Sequence, residues 1–274
     1  MLVVVFASGK GGVGKSTLCL HLAVEAGLAG VGPVGLIDLD QSSWLTHWWD
    51  MRTHAEEPWL ELPEPDLAAA LDRLRERGCK LVLIDTPGDV NSDIARAIGM
   101  ANLAILPCKY FAPDVWGVGP TVSMVERARK PFCFVVTMAK HGVGLAEQAV
   151  LNLSRHAPVA PTIIYDRTDY GAAQADGRTA QELTPRGAAA EEVRSLWDFV
   201  AHRLELASNE PVQLPRRPAS SAAAEGKRSA SGAAARSRTA VGNVKPAPAA
   251  TVKSGRRGAA STTRSGRKPS LADA

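Results

Sequence analysis

Residues 2–17 read Leu2-Val3-Val4-Val5-Phe6-Ala7-Ser8-Gly9-Lys10-Gly11-Gly12-Val13-Gly14-Lys15-Ser16-Thr17. An apolar run of strand length passes directly into a glycine-rich turn, and the turn into the start of a helical segment. The run fits a strand buried on both faces. The glycines let successive backbone N–H groups curl around phosphate oxygens, where side chains would block the approach. A helix opening at Gly14–Lys15 aims the positive end of its dipole at the same point. Lys15 can reach the β- and γ-phosphates of a nucleotide, and the Ser16 hydroxyl can ligate Mg²⁺. Gly11, Gly12, Val13, Gly14, Lys15, Ser16 and Thr17 therefore form the expected phosphate cradle.

Outward from this stretch the same rhythm repeats. Val34–Asp38, Lys80–Asp85, Leu103–Pro107 and Phe132–Thr137 are apolar runs of strand length. Helical segments over Lys15–Ala29, Asp66–Arg77 and Pro113–Arg129 alternate with them. After Pro161 comes a short strand, Thr162–Tyr165, then helices near Asp169–Asp176 and Ala188–Leu206. The last helix aligns Val193, Leu196, Val200 and Leu204 on one face. The fold class implied is α/β, a mostly parallel sheet flanked by helices on both faces. In such sheets the strand ends deliver residues to a ligand crevice. Asp38 and Asp40 after the second strand, and Asp85 after the third, are candidates to hold a metal or its water.

The chain has 274 residues and a formal charge of +4, but the charge is unevenly spread. Residues 211–274 hold 13 lysines and arginines against 2 carboxylates, leaving 19 against 26 in the rest. An acidic body thus carries a basic tail. That tail has no aromatic residue and few large aliphatics, too little apolar area to offset the entropy of ordering. The division expected is a folded domain over residues 1–208 and a disordered basic tail over 209–274. No apolar stretch reaches the ~18 residues of a membrane span, and no signal-peptide core is present. Cys19, Cys79, Cys108 and Cys133 are scattered without ligand spacing, which reads as reduced buried thiols in a cytoplasmic protein. His21, His47, His54, His141, His156 and His202 form no metal spacing either.

The motif Lys10-Gly11-Gly12-Val13-Gly14-Lys15-Ser16 resembles the deviant Walker A sequence of the ParA/MinD group of P-loop ATPases (the SIMIBI class), and the likeness extends over about residues 1–205. The chain resembles the short form of the partition ParA proteins. The resemblance implies ATP and Mg²⁺ as cofactors and an ATP-sandwich homodimer in which Lys10 crosses to the partner's nucleotide. Gly35-Leu36-Ile37-Asp38-Leu39-Asp40 is similar to the family's second acidic strand, which makes Asp40 the residue that positions the attacking water. Leu81-Val82-Leu83-Ile84-Asp85-Thr86-Pro87-Gly88 is similar to the Walker B segment, which puts Asp85 on Mg²⁺ through water. Ser16, Asp40 and Asp85 are thus the implied metal environment, and Lys10, Lys15 and Asp40 the implied catalytic set. The chain departs from the family at Asp40-Gln41-Ser42, where relatives commonly carry Asp-Pro-Gln. It also lacks the Asn that often follows the strand ending at Thr137, so no base contact is assigned there.

The function this resemblance implies is a DNA-segregation ATPase. Its ATP-bound dimer would bind duplex DNA non-specifically at the nucleoid, and a centromere-binding, ParB-like protein would stimulate hydrolysis. With the first strand at the start of the chain, no N-terminal helix-turn-helix is expected. Three alternatives share the same loop. A small-molecule kinase needs an arginine-bearing lid, and a reductase component needs cluster cysteines; neither pattern is present. A ParA-like protein that positions a secretion, chemotaxis or cellulose-synthesis machine would carry the same switch. The tail's spaced Lys/Arg residues suit accessory contact with duplex phosphates, or else only solubilise the chain. Without an amphipathic helix the tail does not suggest a membrane anchor. Trp44, Trp48 and Trp49 are expected to pack a helix or dimer interface rather than stack on a base.

Overall fold

In the computed structural model the described residues are 1–205, apart from 54, 90 and 143. The expected basic tail over 209–274 and His54 lie outside them. Among the described residues six strands form one wholly parallel sheet: β1 (Leu2–Phe6), β2 (Val34–Asp38), β3 (Trp59–Glu61), β4 (Leu81–Asp85), β5 (Leu103–Lys109) and β6 (Phe132–Thr137). Their order is β3-β2-β4-β1-β5-β6. Side chains alternate across a strand, and here both faces are apolar because each meets its own layer of helices. Val4, Phe6, Leu36, Leu83 and Ile105 point into one core, and Val3, Val5, Ile37, Ile84 and Leu106 into the other.

The first core is covered by α1 (Lys15–Leu28), α2 (Trp44–Asp50), α8 (Thr168–Gln174), α9 (Ala180–Leu183) and α10 (Ala188–Arg203). The second is covered by α3 (Leu67–Glu76), α4 (Ser92–Met100), α6 (Gly119–Arg127) and α7 (Leu145–Leu153), with the short α5 (Ala112–Trp116) beside them. Val193, Leu196, Val200 and Leu204 of the α10 segment are all buried, as their spacing requires. All four cysteines are buried and unpaired by disulfide.

Two expectations are corrected. The single helix over Pro113–Arg129 is two helices, α5 and α6, because Pro120 supplies no N–H to continue the first and instead sits in the opening turn of the second. The strand over Thr162–Tyr165 does not form. That stretch runs beside β6 through isolated bridges at Val159 and Tyr165, with Ile164 N donating to Val136 O at 2.9 Å. Pro161 between the bridges has no N–H for the ladder.

Register then aligns the chemistry. Phe6, Asp85 and Asp38 lie opposite one another across β1, β4 and β2. The loop that follows Phe6 therefore opens beside two carboxylates that come from other parts of the chain.

Candidate active site

The turn between β1 and α1 takes its shape from two glycines. Gly12 (φ 68°) and Gly14 (φ 89°) both adopt left-handed backbone, which a Cβ disfavours. Gly14 caps α1 with no side chain bonded to the helix end, so the first-turn N–H groups remain available to an anion. Side chains from outside brace the loop. Thr121 Oγ1 accepts from Gly9 N at 3.0 Å, and Thr137 Oγ1 donates to Val13 O at 2.9 Å. Gly11 and Gly12 are exposed at its crest.

Lys15 lies within the cradle, its side chain buried and its Nζ 3.5 Å from Lys10 O. Burial pushes the Lys15 pKa down, while Asp85, Asp40 and Asp89 oppose that shift. Asp85 is completely buried at the end of β4. Desolvation raises its pKa to about 7, against the lowering influence of the Ser16 hydroxyl and the Lys15 charge. Its Oδ1 accepts from Thr86 N at 3.0 Å, whereas Oδ2 is buried and makes no well-formed hydrogen bond. A buried carboxylate oxygen without a well-formed hydrogen bond, beside a hydroxyl, needs a further partner. It fits a hard cation such as Mg²⁺, which uses one or two protein oxygens and takes the rest from water and phosphate. Among the described residues no group of three or more His, Cys, Asp or Glu is placed to hold a metal ion by itself, and this mode of binding needs none.

The two aspartates at the end of β2 and just past it have separate tasks. Buried Asp38 accepts from Thr46 N and Thr46 Oγ1, both at 3.0 Å, and from Asp40 N at 3.0 Å. It ties the start of α2 to the sheet, a partnership the sequence reading does not assign. Asp40 is half-buried, accepts from Ser42 N at 2.9 Å, and is close enough to act on both Lys15 and Asp85. The structure thus brings Gly11–Thr17, Asp40 and Asp85 together.

Lys10 stands apart. Its ammonium turns away to α5, donating to Pro113 O at 2.6 Å and Asp114 Oδ1 at 3.0 Å. A further close approach escapes the sequence reading: a Cβ on Gly88 would lie 2.6 Å from Gly11 Cα. The Thr86-Pro87-Gly88 turn after Asp85 is the signal that was available for it.

Beyond Gly14 a cleft of about 90 Å³ opens, lined by Thr17, Met138, Ile164, Tyr165, Asp166 and Arg167 among others. Its wall is braced from behind. Glu192 accepts from Arg167 Nε at 2.7 Å and Tyr170 OH at 2.9 Å, and His141 stacks on Tyr165 at 3.7 Å. None of the three tryptophans after Asp40 lines this cleft: Trp48 is buried and Trp49 partly so, as expected of packing residues, whereas Trp44 is exposed. Trp44 Nε1 donates to Gln174 Oε1, Trp48 Nε1 to Arg178 O and Trp49 Nε1 to Pro58 O.

The family described as the CobQ/CobB/MinD/ParA nucleotide binding domain matches residues 4–180. The chain is similar to maintenance of carboxysome distribution protein A of Halothiobacillus neapolitanus, 27% identical over 205 residues, covering 71% of this chain and 94% of that protein. It is also similar to the chromosome-partitioning ATPase Soj of Thermus thermophilus, 28% identical over 241 residues, covering 74% of this chain and 96% of that one. Among solved structures, MinD of Aquifex aeolicus in its complex with MinC shares the fold with a TM-score of 0.62 at 18% identity, covering 79% of this chain and 99% of that one. No helix among the described residues is long and apolar enough to cross a membrane.

Proposed function

The chain belongs to the CobQ/CobB/MinD/ParA nucleotide-binding family, and on that premise we propose that it is an ATP-hydrolysing partition protein whose ATP-bound dimer binds duplex DNA. One observation carries the reading. Lys15, Ser16, Asp85 and Asp40 converge on the open N-terminus of α1, while the second loop lysine, Lys10, lies outside that site. The backbone N–H groups of Gly11–Thr17 would hold the phosphates, and Lys15 the charge that develops on them. Ser16 and Asp85 would hold Mg²⁺, which when bound supplies positive charge against the β- and γ-phosphates. Asp40 would orient the attacking water. The cleft beside Met138 and Asp166 offers an apolar wall and a polar rim to the base.

Lys10, exposed and directed away from its own cradle, would complete the partner's site in an ATP-sandwich dimer. Dimer formation would then depend on the γ-phosphate, and hydrolysis would reverse it. This is a switch suited to cyclic attachment to the nucleoid in the cytoplasm, with a ParB-like, centromere-binding protein to stimulate turnover. The basic tail would add salt-sensitive contacts to DNA.

The test is duplex-DNA binding by the full chain with ATP, ADP or no nucleotide, across a salt series. Binding that appears only with ATP supports the reading. Binding that is equal in all three states makes DNA a constitutive tether of the tail, and no binding at all overturns the partition role. A second reading, a positioning ATPase for a non-DNA cargo, is favoured by the carboxysome-distribution relative, matched over nearly its whole length. Deleting the gene separates the two. Loss of a replicon supports partition, and a mislocalised cargo with stable replicons supports positioning.

A further inference from the structure

Lys10 occupies a built seat. Its Nζ reaches Asp114 Oδ1 at 3.0 Å and Pro113 O at 2.6 Å, across more than a hundred residues of sequence. The carbonyl is available because α5 closes tightly: Gly117 N, which would bond Pro113 O in a continuing α-helix, donates to Asp114 O at 3.1 Å instead. Room for the lysine arm comes from Gly117, where a Cβ would lie 2.7 Å from Lys10 Cε and 3.1 Å from Nζ. A freed carbonyl, a carboxylate and a missing side chain thus converge on one ammonium. The Lys10 side chain keeps 39% exposure and Asp114 20%, so the arm is held but has an open way out. Thr121 of the adjoining α6 fixes Gly9, one residue before Lys10, so the arm can swing while its base stays put.

We propose that Asp114, Pro113 O and Gly117 form a cis seat for Lys10 that must be vacated before Lys10 can cross to a second copy of this chain, which makes Asp114 a positioning residue setting the threshold of ATP-driven dimerisation. The proposal rests on the reading above that Lys10 acts in trans. An ammonium cannot satisfy both sites at once, so each dimer formed opens two seats. The seat therefore opposes dimerisation without touching nucleotide, and it favours the separate chain when nucleotide is scarce.

Two variants empty the seat by unrelated routes. Asp114→Asn removes the charge, and Gly117→Ala fills the space while leaving both charges in place; Gly117 has φ −77°, which alanine adopts freely. Sedimentation of the full chain with a non-hydrolysable ATP analogue measures the dimer dissociation constant. Each variant is expected to lower it by about 2- to 30-fold, the shift that releasing two partly exposed ion pairs gives. In a Lys10→Ala background Asp114→Asn is expected to change nothing, since the seat is then already empty. A merely structural role for Asp114 would act equally with or without Lys10, and that result overturns the proposal. So does a dissociation constant that rises or stays unchanged in both Asp114→Asn and Gly117→Ala.

If the wild-type chain fails to dimerise with the analogue, the trans reading fails, and the seat is judged by itself. Acetylation of Lys10 in nucleotide-free protein, followed by mass spectrometry, is expected to run faster in both variants than in wild type, and equal rates refute the seat.

Discussion

Lys15 and Asp40 sit near each other but differ in what their loss removes. The Lys15 ammonium is buried in the cradle, beside Lys10 O and within reach of the Asp85, Asp40 and Asp89 charges. In the proposed function it would bond phosphate in the ground state, where a charged hydrogen bond contributes ~1.5–3 kcal/mol. Lys15→Ala is expected to weaken ATP binding about a hundredfold in a calorimetric titration. Retained affinity would remove Lys15 from the cradle. Among the described residues the Asp40 carboxylate accepts a hydrogen bond from Ser42 N of its own turn, which leaves acceptor capacity to address a water. Asp40→Ala is expected to bind ATP normally while turnover falls by ~10²–10⁴, the usual worth of a general base or water-orienting group. Turnover at the wild-type rate would refute that role. Both residue types and their spacing are legible in the sequence. Asp38 is less so, because its partner Thr46 lies eight residues on, and only the turn of the chain between them puts a hydroxyl and an N–H on one carboxylate oxygen.

At the scale of elements, the long strands and the helices with strong apolar spacing can be read directly, because burial on two faces demands runs such as Leu81–Ile84. Shorter pieces cannot. β3 is three half-buried residues at the sheet edge, too few for any period to declare itself. α4 starts from an Asn91 cap, whose side chain accepts from Asp93 N and Ile94 N, and its buried stripe of Ile94, Ala97 and Ile98 spans little more than one turn, too short for a period to declare itself. The turn after β4 carries a prediction of its own. Gly88 lies so close to Gly11 that a Cβ would come within 2.6 Å of Cα and 2.8 Å of N, and neither backbone can yield cheaply. Gly88→Ala is expected to push the turn off the phosphate loop, lowering stability by ~1–3 kcal/mol as overpacking does. Nucleotide affinity is expected to drop at least tenfold in the same protein. A loss of stability with full affinity would show that the loop tolerates the displacement.

For the molecule as a whole, His21 joins distant parts of the chain. It is fully buried on α1. Ala180 N at the start of α9 donates to its Nε2 at 3.1 Å, which leaves the proton on Nδ1 to be donated to Thr17 O at 2.7 Å. Gln181 Nε2 closes the joint by donating to His21 O at 2.8 Å. Burial lowers the His21 pKa from 6.5 to about 4, with the Thr17 carbonyl and the Glu182 charge opposing. Folding therefore selects the neutral ring. Its stabilising contribution is whole above about pH 6.5 and is lost as the pH falls toward 4. The loss across that window is on the order of 3 kcal/mol. Asp85, whose raised pKa acts in the opposite sense over this range, is common to wild type and His21→Gln. It is therefore the stability of wild type relative to His21→Gln, in denaturant unfolding between pH 7 and 4, that is expected to show this decline. An equal decline in the variant would place the acid sensitivity elsewhere.

Sequence alone determined the glycine-rich loop after β1, the alternation of buried strands and helices, and the acidic residues at strand ends. Each of these is written in residue types only a few positions apart, where glycine conformational freedom, apolar runs and fixed spacing act locally. Tertiary structure alone decided that Asp38 stands opposite Asp85, that Gly88 meets Gly11, and that Lys10 rests on Asp114. Those contacts join segments tens of residues or more apart. They follow from the order and register of the strands, which apolar patterning permits in several arrangements and only the packed sheet selects.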